Sequence, residues 1–286
     1  MTHLTIPKTY KLYIGGKFPR TESGRSYEVT TPKGKFLANA ALASRKDGRD
    51  AVVAARAAQP GWAGATAYNR GQVLYRIAEV LEGRREQFVA EIAASEGVSK
   101  SAATAQVDAA IDSWVWFAGW ADKYVQVAGT GNPVAGPYFN LSVPEPTGVV
   151  AVVAPQGTGG SLLGLVNVVA PAIVSGNTVV VIASEKHPLS AISLAEVFAT
   201  SDLPGGVVNV LTGSPAEIAP WLASHADVNA LDLSGADALD WVDLEIAAAD
   251  TLKRVLHPEP GVPARSLDRI VALTETKTVW HTKSLI

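Results

Sequence analysis

Glu145-Pro146-Thr147-Gly148-Val149-Val150-Ala151-Val152-Val153-Ala154 begins the stretch on which the fold turns. The loop Pro155-Gln156-Gly157-Thr158-Gly159-Gly160 follows, then an apolar helical segment from Ser161 to Ser175 and Gly176-Asn177. A second apolar run, Thr178 to Ile182, leads through a polar loop to a helix from about Pro188 to Thr200. Leu203-Pro204-Gly205-Gly206 makes a turn, and Val207 to Leu211 is a third short run. Short β-branched runs separated by helices predict strands buried on both faces, as in a parallel sheet. Gly176 stands at an expected helix C-cap, and Pro204-Gly205-Gly206 is strong turn punctuation. The unit reads βαβαβ, half of a doubly wound sheet, with the loops beyond its strand ends facing a candidate ligand crevice.

The chain has 286 residues, 48% of them hydrophobic, enough for one large domain or two small ones around a sizeable core. A formal charge of −3 gives no reason to expect nucleic acid or an acidic membrane surface as partner. With no apolar run of about 18 residues, no transmembrane helix is expected. Met1-Thr2-His3-Leu4-Thr5-Ile6-Pro7-Lys8 lacks an apolar signal core, so a cytoplasmic location is expected. The chain contains no cysteine, which removes disulfides, thiolate metal sites and thiol catalysis from it together.

Three motifs occur in order: Glu145-Pro146-x-Gly148-Val149-Val150, Ser175-Gly176-Asn177-Thr178-Val179-Val180, and Leu203-Pro204-x-Gly206-Val207-Val208-Asn209-x-x-Thr212-Gly213. Together they resemble the cofactor domain of the aldehyde dehydrogenase superfamily. The resemblance runs from Tyr10 to about Gly235. It implies a Rossmann-like doubly wound parallel sheet of the α/β class with a small β oligomerisation element.

Before this stretch, Tyr10 to Phe18 reads as a hairpin around Gly15-Gly16, and Ser26 to Thr30 as a strand. In the family a similar "Ile-Gly-Gly" step opens the oligomerisation region, although any edge hairpin would read the same way. Arg49 to Gln59 is helical and is expected to end near Pro60. Asn69 to Ala94 reads as one long amphipathic helix, with Val73, Leu74, Ile77, Val80, Leu81 and Phe88 on its apolar stripe. Val98 to Ala128 continues as helix. Its Trp114, Trp116, Phe117, Trp120 and Tyr124 form a core or interface stripe rather than a stacking platform, because no basic residues interleave them. Phe117-Ala118-Gly119-Trp120-Ala121-Asp122-Lys123 again resembles the family. Asn140 to Pro144 is a strand-like entry to the cofactor unit.

The family's reaction uses a cysteine thiolate, an oxyanion donor, a general base and a positioned cofactor. Residue by residue, this chain departs from that set. Gly157 stands where the family's Pro-Trp-Asn places the oxyanion amide, and Gln156 is one position away. Ile182 replaces the Lys that holds the adenosine ribose, while Glu185 keeps the acidic ribose contact. Glu185 can equally be read as a relic or a solvated loop acid. The family's glycine motif reads Leu233-Ser234-Gly235-Ala236-Asp237-Ala238-Leu239-Asp240; Gly235 survives, and Asp237 and Asp240 would repel a phosphate at the helix N-terminus. After Leu252-Lys253-Arg254-Val255 the base position falls on Pro258, with Glu259 beside it. The resemblance thus leaves Glu185, Gly213 and Gly235 as cofactor-type positions and assigns no catalytic residue.

Other chemistry finds no pattern. Gly157 to Gly164 lacks the Gly-Lys-Ser/Thr of a P-loop. Ser161 has no histidine close in sequence to activate it and is expected to cap a helix. His3, His187, His225, His257 and His281 have no metal-ligand spacing.

The catalytic domain expected next is replaced by Pro260-Gly261-Val262-Pro263, and Thr274 to Trp280 resembles the family's C-terminal oligomerisation strand. The resemblance therefore implies a cofactor-type domain over residues 1–262, with the segment 10–30 in the oligomerisation element, and a C-terminal oligomerisation strand over 263–286. Two functions follow. One is a non-catalytic subunit, a pseudoenzyme without cofactor, that forms a homo-oligomer or a hetero-oligomer with a full-length aldehyde dehydrogenase. The other is an oxidoreductase acting on an aldehyde with NAD or NADP, active only with a partner subunit. The tail is expected beside the Tyr10–Phe18 hairpin and the same region of a second chain.

Overall fold

The computed structural model describes residues 8–257 and 263–283. In chain order it contains β1 (Thr9–Tyr10), β2 (Ser26–Thr30), β3 (Phe36–Ala41), α1 (Arg45–Gly64), α2 (Ala67–Gly83), α3 (Arg85–Glu96), α4 (Lys100–Trp120) and α5 (Tyr124–Ala128). Then come β4 (Thr130–Asn132), β5 (Tyr138–Pro146), β6 (Val149–Val153), α6 (Leu165–Val174), β7 (Thr178–Ile182), α7 (Leu189–Phe198) and β8 (Val208–Leu211). The chain continues with α8 (Pro215–Ser224), β9 (Ala230–Asp232), α9 (Trp241–Ala249), β10 (Arg254–Leu256), α10 (Leu267–Val271) and β11 (Thr274–Thr282).

The central sheet has the order β10-β9-β6-β7-β8 and is parallel throughout. Every residue of β6, β7 and β8 is buried, which is why these runs lack polar alternation. One face packs Val150, Val152, Val179 and Val181 against α2, α4, α6 and α7. The other packs Ala151, Val153, Val180 and Ile182 against α1, α8 and α9. The doubly wound α/β class is as the sequence predicts. Because β7 and β8 lie on one side of β6 and β9 and β10 on the other, strand order reverses between β6 and β9. In such sheets that is where a crevice opens at the strand C-termini.

Several boundaries differ from expectation for identifiable reasons. Helix α1 runs through Pro60 to Gly64, because the buried Trp62 is anchored by its indole N–H to the Ile173 carbonyl at 2.8 Å. The long helix expected from Asn69 to Ala94 breaks at Arg84, whose guanidinium reaches Glu196 of α7 at 2.5 Å. The segment 98–128 likewise divides into α4 and α5. The residues after β6 open in a wider π-turn over Gly160–Gly164 before α6.

The N-terminal hairpin is a tight turn and no more. Ile14 and Lys17 exchange hydrogen bonds of 2.9 and 3.0 Å around Gly15 and Gly16, which have φ of 60° and 79°. Tyr13 is instead paired with Val210 of β8 at 3.0 and 2.7 Å, and the Asn209 Oδ1 accepts the Gly15 N–H at 2.9 Å. The turn is therefore not beside the tail. Strand β11 pairs antiparallel with β5 over nine residues, from Thr274 opposite Pro146 to Thr282 opposite Tyr138, in a separate sheet ordered β11-β5-β4.

The segment leading to β11 is sewn into the body. Ile270 and Leu273 are buried, and the Leu273 carbonyl accepts hydrogen bonds from Asn177 Nδ2 at 2.8 Å and Thr147 N at 3.3 Å. Arg269 of α10 places Nη2 at 2.9 Å from Oδ2 of Asp232, whose side chain is fully buried at the end of β9. Breaking a buried pair leaves an uncompensated charge. Arg269→Ala should therefore destabilise the chain by about 3–5 kcal/mol in urea unfolding. The double variant Asp232→Leu, Arg269→Met should recover most of that loss. A single variant as stable as the parent would show that the pair does not hold α10.

Candidate functional site

The C-terminal ends of the parallel strands carry the candidate residues. Gly235, after β9, approaches β6 so closely that a Cβ there would lie 1.8 Å from the Ala154 carbonyl oxygen. Its N–H donates to Val153 O at 2.8 Å. After β6, Gln156 folds back: Nε2 donates to Ala154 O at 2.5 Å, and Oε1 accepts the Glu185 N–H at 2.9 Å. This orients the amide toward Ala154 and Glu185, with one Nε2 hydrogen and the Oε1 acceptor taken up internally. Gly157 sits exposed at the loop tip, with open space where a side chain would project.

Glu185 is exposed and lies in the electrostatic field of Tyr27, the buried β2 phenol. Burial, and secondarily the Glu185 carboxylate, push the Tyr27 pKa up, while the Gly213 backbone opposes the shift. Gly213 has φ of 126° and packs against Leu42 and Ala43, so it is a backbone requirement first. Gln156 links the Ala154 carbonyl, against which Gly235 packs, to the Glu185 backbone, and the buried Tyr27 hydroxyl has no hydrogen-bond partner among the described residues.

The remaining departures are equally specific. Ile182 is fully buried in the layer with Ala151, Val153, Ala219, Leu222 and Leu244, which encloses a void of only about 10 Å³. That is about the smallest space able to hold one water. A lysine at 182 would bring its ammonium into this closed apolar layer, so restoring the charge there would cost stability. Asp240 is the N-cap of α9 and accepts from Val242 N at 3.0 Å and Asp243 N at 3.3 Å. The amides that would meet a phosphate at this helix end already hold a carboxylate. Pro258 and Glu259 lie outside the described residues.

The first βα turn is closed in the same manner by a residue that sequence spacing does not reveal. Glu96, buried at the end of α3, accepts from Gly159 N at 3.0 Å, Ser161 N at 3.3 Å and Gln106 Nε2 at 3.1 Å, and also from the Ser161 hydroxyl. Gln106 Oε1 takes the Leu162 N–H at 3.3 Å. Ser161 therefore does not cap the helix through its own side chain. Its hydroxyl helps satisfy a buried carboxylate.

At the reversal point between β6 and β9 a cavity of about 560 Å³ remains, lined by Pro155, Asn167, Ser234, His257, Asp268 and Arg269 among others. Its volume is in the range of small-molecule sites. Arg269 pairs with Asp232, and His257 Nε2 lies 2.5 Å from Glu245 while its Nδ1 is buried without a hydrogen-bond partner among the described residues. Among the described residues there is no cluster of three or more His, Asp or Glu suited to a metal, and no helix is long and apolar enough to cross a membrane.

A family model described as "Aldehyde dehydrogenase family" matches residues 18–258. The chain is 32% identical over 260 residues to the mouse cytosolic 10-formyltetrahydrofolate dehydrogenase, covering 88% of this chain and 28% of that protein. It is also 32% identical over 260 residues to the cytosolic aldehyde dehydrogenase 1 of Elephantulus edwardii, covering 89% and 51%. The NAD+ complex of a Bacillus cereus aldehyde dehydrogenase superposes with a TM-score of 0.79 at 27% identity, covering 87% of this chain and 50% of that one. The chain thus spans about half, or less, of the length of these proteins. The ordered motifs, the five-stranded parallel sheet and these similarities place the chain in the aldehyde dehydrogenase family.

Proposed function

We propose that this chain acts as a non-catalytic subunit of the aldehyde dehydrogenase family, working by assembly with itself or with a full-length relative. The observation that carries this reading is that the groups expected to serve chemistry are occupied by the chain's own side chains. Gln156 bonds Ala154 and Glu185, Glu96 fills the first βα turn, Asp240 fills the α9 N-terminus, and no cysteine is present. On this reading Glu185, Gly213 and Gly235 are vestigial cofactor positions, and NAD or NADP binds weakly or not at all. Residues 1–262 form the cofactor-type domain and 263–286 the assembly strand, in a cytoplasmic protein. Exposed Phe139, Leu141, Val279 and Trp280 on the β5–β11 sheet support assembly, as does the outer edge of β11, which pairs with no described strand.

A second reading, an oxidoreductase completed by a partner subunit, is favoured by one feature, the cavity at the reversal point. Kinetics separates the two. The pure chain should oxidise aldehydes at least about 10⁴-fold more slowly than a complete relative, as expected when a nucleophile is missing. Adding the chain to a full-length aldehyde dehydrogenase should leave turnover per complete active site unchanged. New turnover that titrates with this chain would establish the second reading.

Dinucleotide affinity should be weaker than about 100 μM by calorimetry, since losing one charge-assisted contact costs about 1.5–3 kcal/mol. Low-micromolar binding of NAD or NADP would overturn the vestigial assignment.

Light scattering tests assembly. Val279→Lys with Trp280→Lys should leave the β5–β11 pairing in place yet reduce the assembled mass, alone or with a full-length relative. Unchanged assembly would show that this sheet is not the interface.

A further inference from the structure

The net charge of −3 conceals a segregation. Residues 8–57 hold eleven Lys and Arg against four Asp and Glu, a net +7, so the rest of the chain carries −10. This segment forms the β1-β3-β2 sheet and most of α1. Three of its arginines also differ from the others in what they meet. Of the twelve arginines in the sequence, eight lie within 4.0 Å of a carboxylate. Arg70 is buried on the carbonyls of Val174, Ala63 and Ala65. Arg20, Arg25 and Arg45 remain, all in the basic segment, and none of them pairs with a carboxylate among the described residues.

Arg25 and Arg45 line one cleft of about 530 Å³ between the start of α1 and the first turn of α8. That volume suits a small molecule. Folding does not account for these two side chains. Arg45 is the first residue of α1, the end at which the helix dipole disfavours a cation. The acids closest to it in sequence are engaged. Asp47 accepts from Thr21 Oγ1 at 2.6 Å, Glu22 N at 3.0 Å and Ser44 N at 2.8 Å, and Glu22 pairs with Lys46 at 3.3 Å. The Arg25 guanidinium meets only the Ser23 hydroxyl among the described residues, through Nε at 3.3 Å. Both arginines are exposed. Guanidinium groups offer paired N–H donors that match a phosphate, and two beside one cleft can share it.

The α8 wall has a different character. Ala216, Ile218 and Pro220 make it largely apolar, and Glu217 stands in the first turn of α8 without an ion pair to either arginine. A carboxylate accepts hydrogen bonds from hydroxyls and repels added negative charge. It selects a hydroxylated ligand with one phosphate over a polyphosphate or a nucleic acid.

We propose that this cleft binds a small hydroxylated phosphate monoester of the sugar-phosphate class. Arg25 and Arg45 hold the phosphate, Glu217 accepts a hydroxyl, and the apolar wall takes the carbon skeleton. Glu185, Gly213 and Gly235 do not line the cleft, so it is separate from the cofactor-type positions. The proposal goes beyond the subunit reading and does not depend on assembly.

Calorimetry on the whole chain tests it with four probes: glucose 6-phosphate, glucose, inorganic phosphate and a phosphoserine peptide. Glucose 6-phosphate should bind at least about 10-fold more tightly than inorganic phosphate, and glucose should give no binding heat. Arg25→Gln and Arg45→Gln should each weaken glucose 6-phosphate at least about 10-fold. Neither should lower the Tm, since neither guanidinium holds a carboxylate of the fold, and this separates lost binding from lost folding. Glu217→Ala should remove the preference for the ester over inorganic phosphate. Arg20→Gln and Arg49→Gln, in the basic segment but outside the cleft, should leave affinity unchanged.

Affinity for glucose 6-phosphate weaker than about 1 mM would overturn the proposal. Equal weakening by Arg20→Gln or Arg49→Gln would do so too, because a diffuse positive surface would then suffice. A phosphoserine peptide bound as tightly as the sugar phosphate would assign the cleft to a modified protein and sink the small-molecule class. Assembly is read separately by light scattering, so this site can fail while the subunit reading stands, and the reverse.

Discussion

The carbonyl oxygen of Ala154 occupies the place a side chain on residue 235 would need. This contact holds the ends of β6 and β9 together where strand order reverses, and the rest of the site is arranged around it. With β9 drawn in, Asp232 is carried into the interior at the strand end, where its charge requires a partner. Arg269 supplies it, which fixes α10 across the crevice mouth and thereby delivers the chain to β11. With β6 drawn in, Gln156 lies within reach of both Ala154 and Glu185 and ties the first loop to the second. One close backbone approach thus positions the loops, the cover and the tail.

A site of this class normally leaves donors and acceptors without internal partners so that a ligand can take them up. Here the opposite holds at the first βα turn and at the start of α9. Glu96 is a resident anion at the first βα turn, held by four donors. Asp240 is a resident anion at the start of α9. A carboxylate fixed in the chain is present at effectively unlimited local concentration, so an external phosphate competing for the same amides faces both displacement and repulsion. The cavity beside Asn167 and Ser234 is what remains of the crevice; Asp232 holds its Arg269, while His257 Nδ1 is buried without a hydrogen-bond partner among the described residues.

The legible part of the sequence was the part whose signal is local. β6, β7 and β8 could be read almost to the residue, because burial on both faces demands continuous apolar runs, and the flanking glycines mark where the backbone turns. The motif order then carried the family. The breaks and the site's wiring were not legible, because distant partners decide them. Arg84 breaks a helix by reaching Glu196, Glu96 meets Ser161 across 65 positions, and Asp232 meets Arg269 across 37. The misplaced neighbour of the tail has a similar cause: Tyr13 pairs with Val210, which left β5 for β11. Spacing rules describe one element at a time, and none of these pairs lies within an element.

The same wiring constrains how the tail can take part in an assembly. One edge of β11 is hydrogen-bonded along nine residues to β5, so only its outer edge is available for strand addition. Opposed residues of an antiparallel pair share a face, so Val279 lies with Leu141, and Phe139 lies with His281 two positions along. Tyr138 and Trp280 fall on the other face, with their rings 5.8 Å apart at 75°. Apolar side chains therefore stand on both sides of a three-stranded sheet too thin to bury either. A partner that only extended the edge would satisfy backbone groups and leave these side chains wet. One that also lay across a face would remove them from water, and burial of that kind gives most of the free energy of association. The tail is accordingly better suited to a broad contact with a second body than to a single added strand.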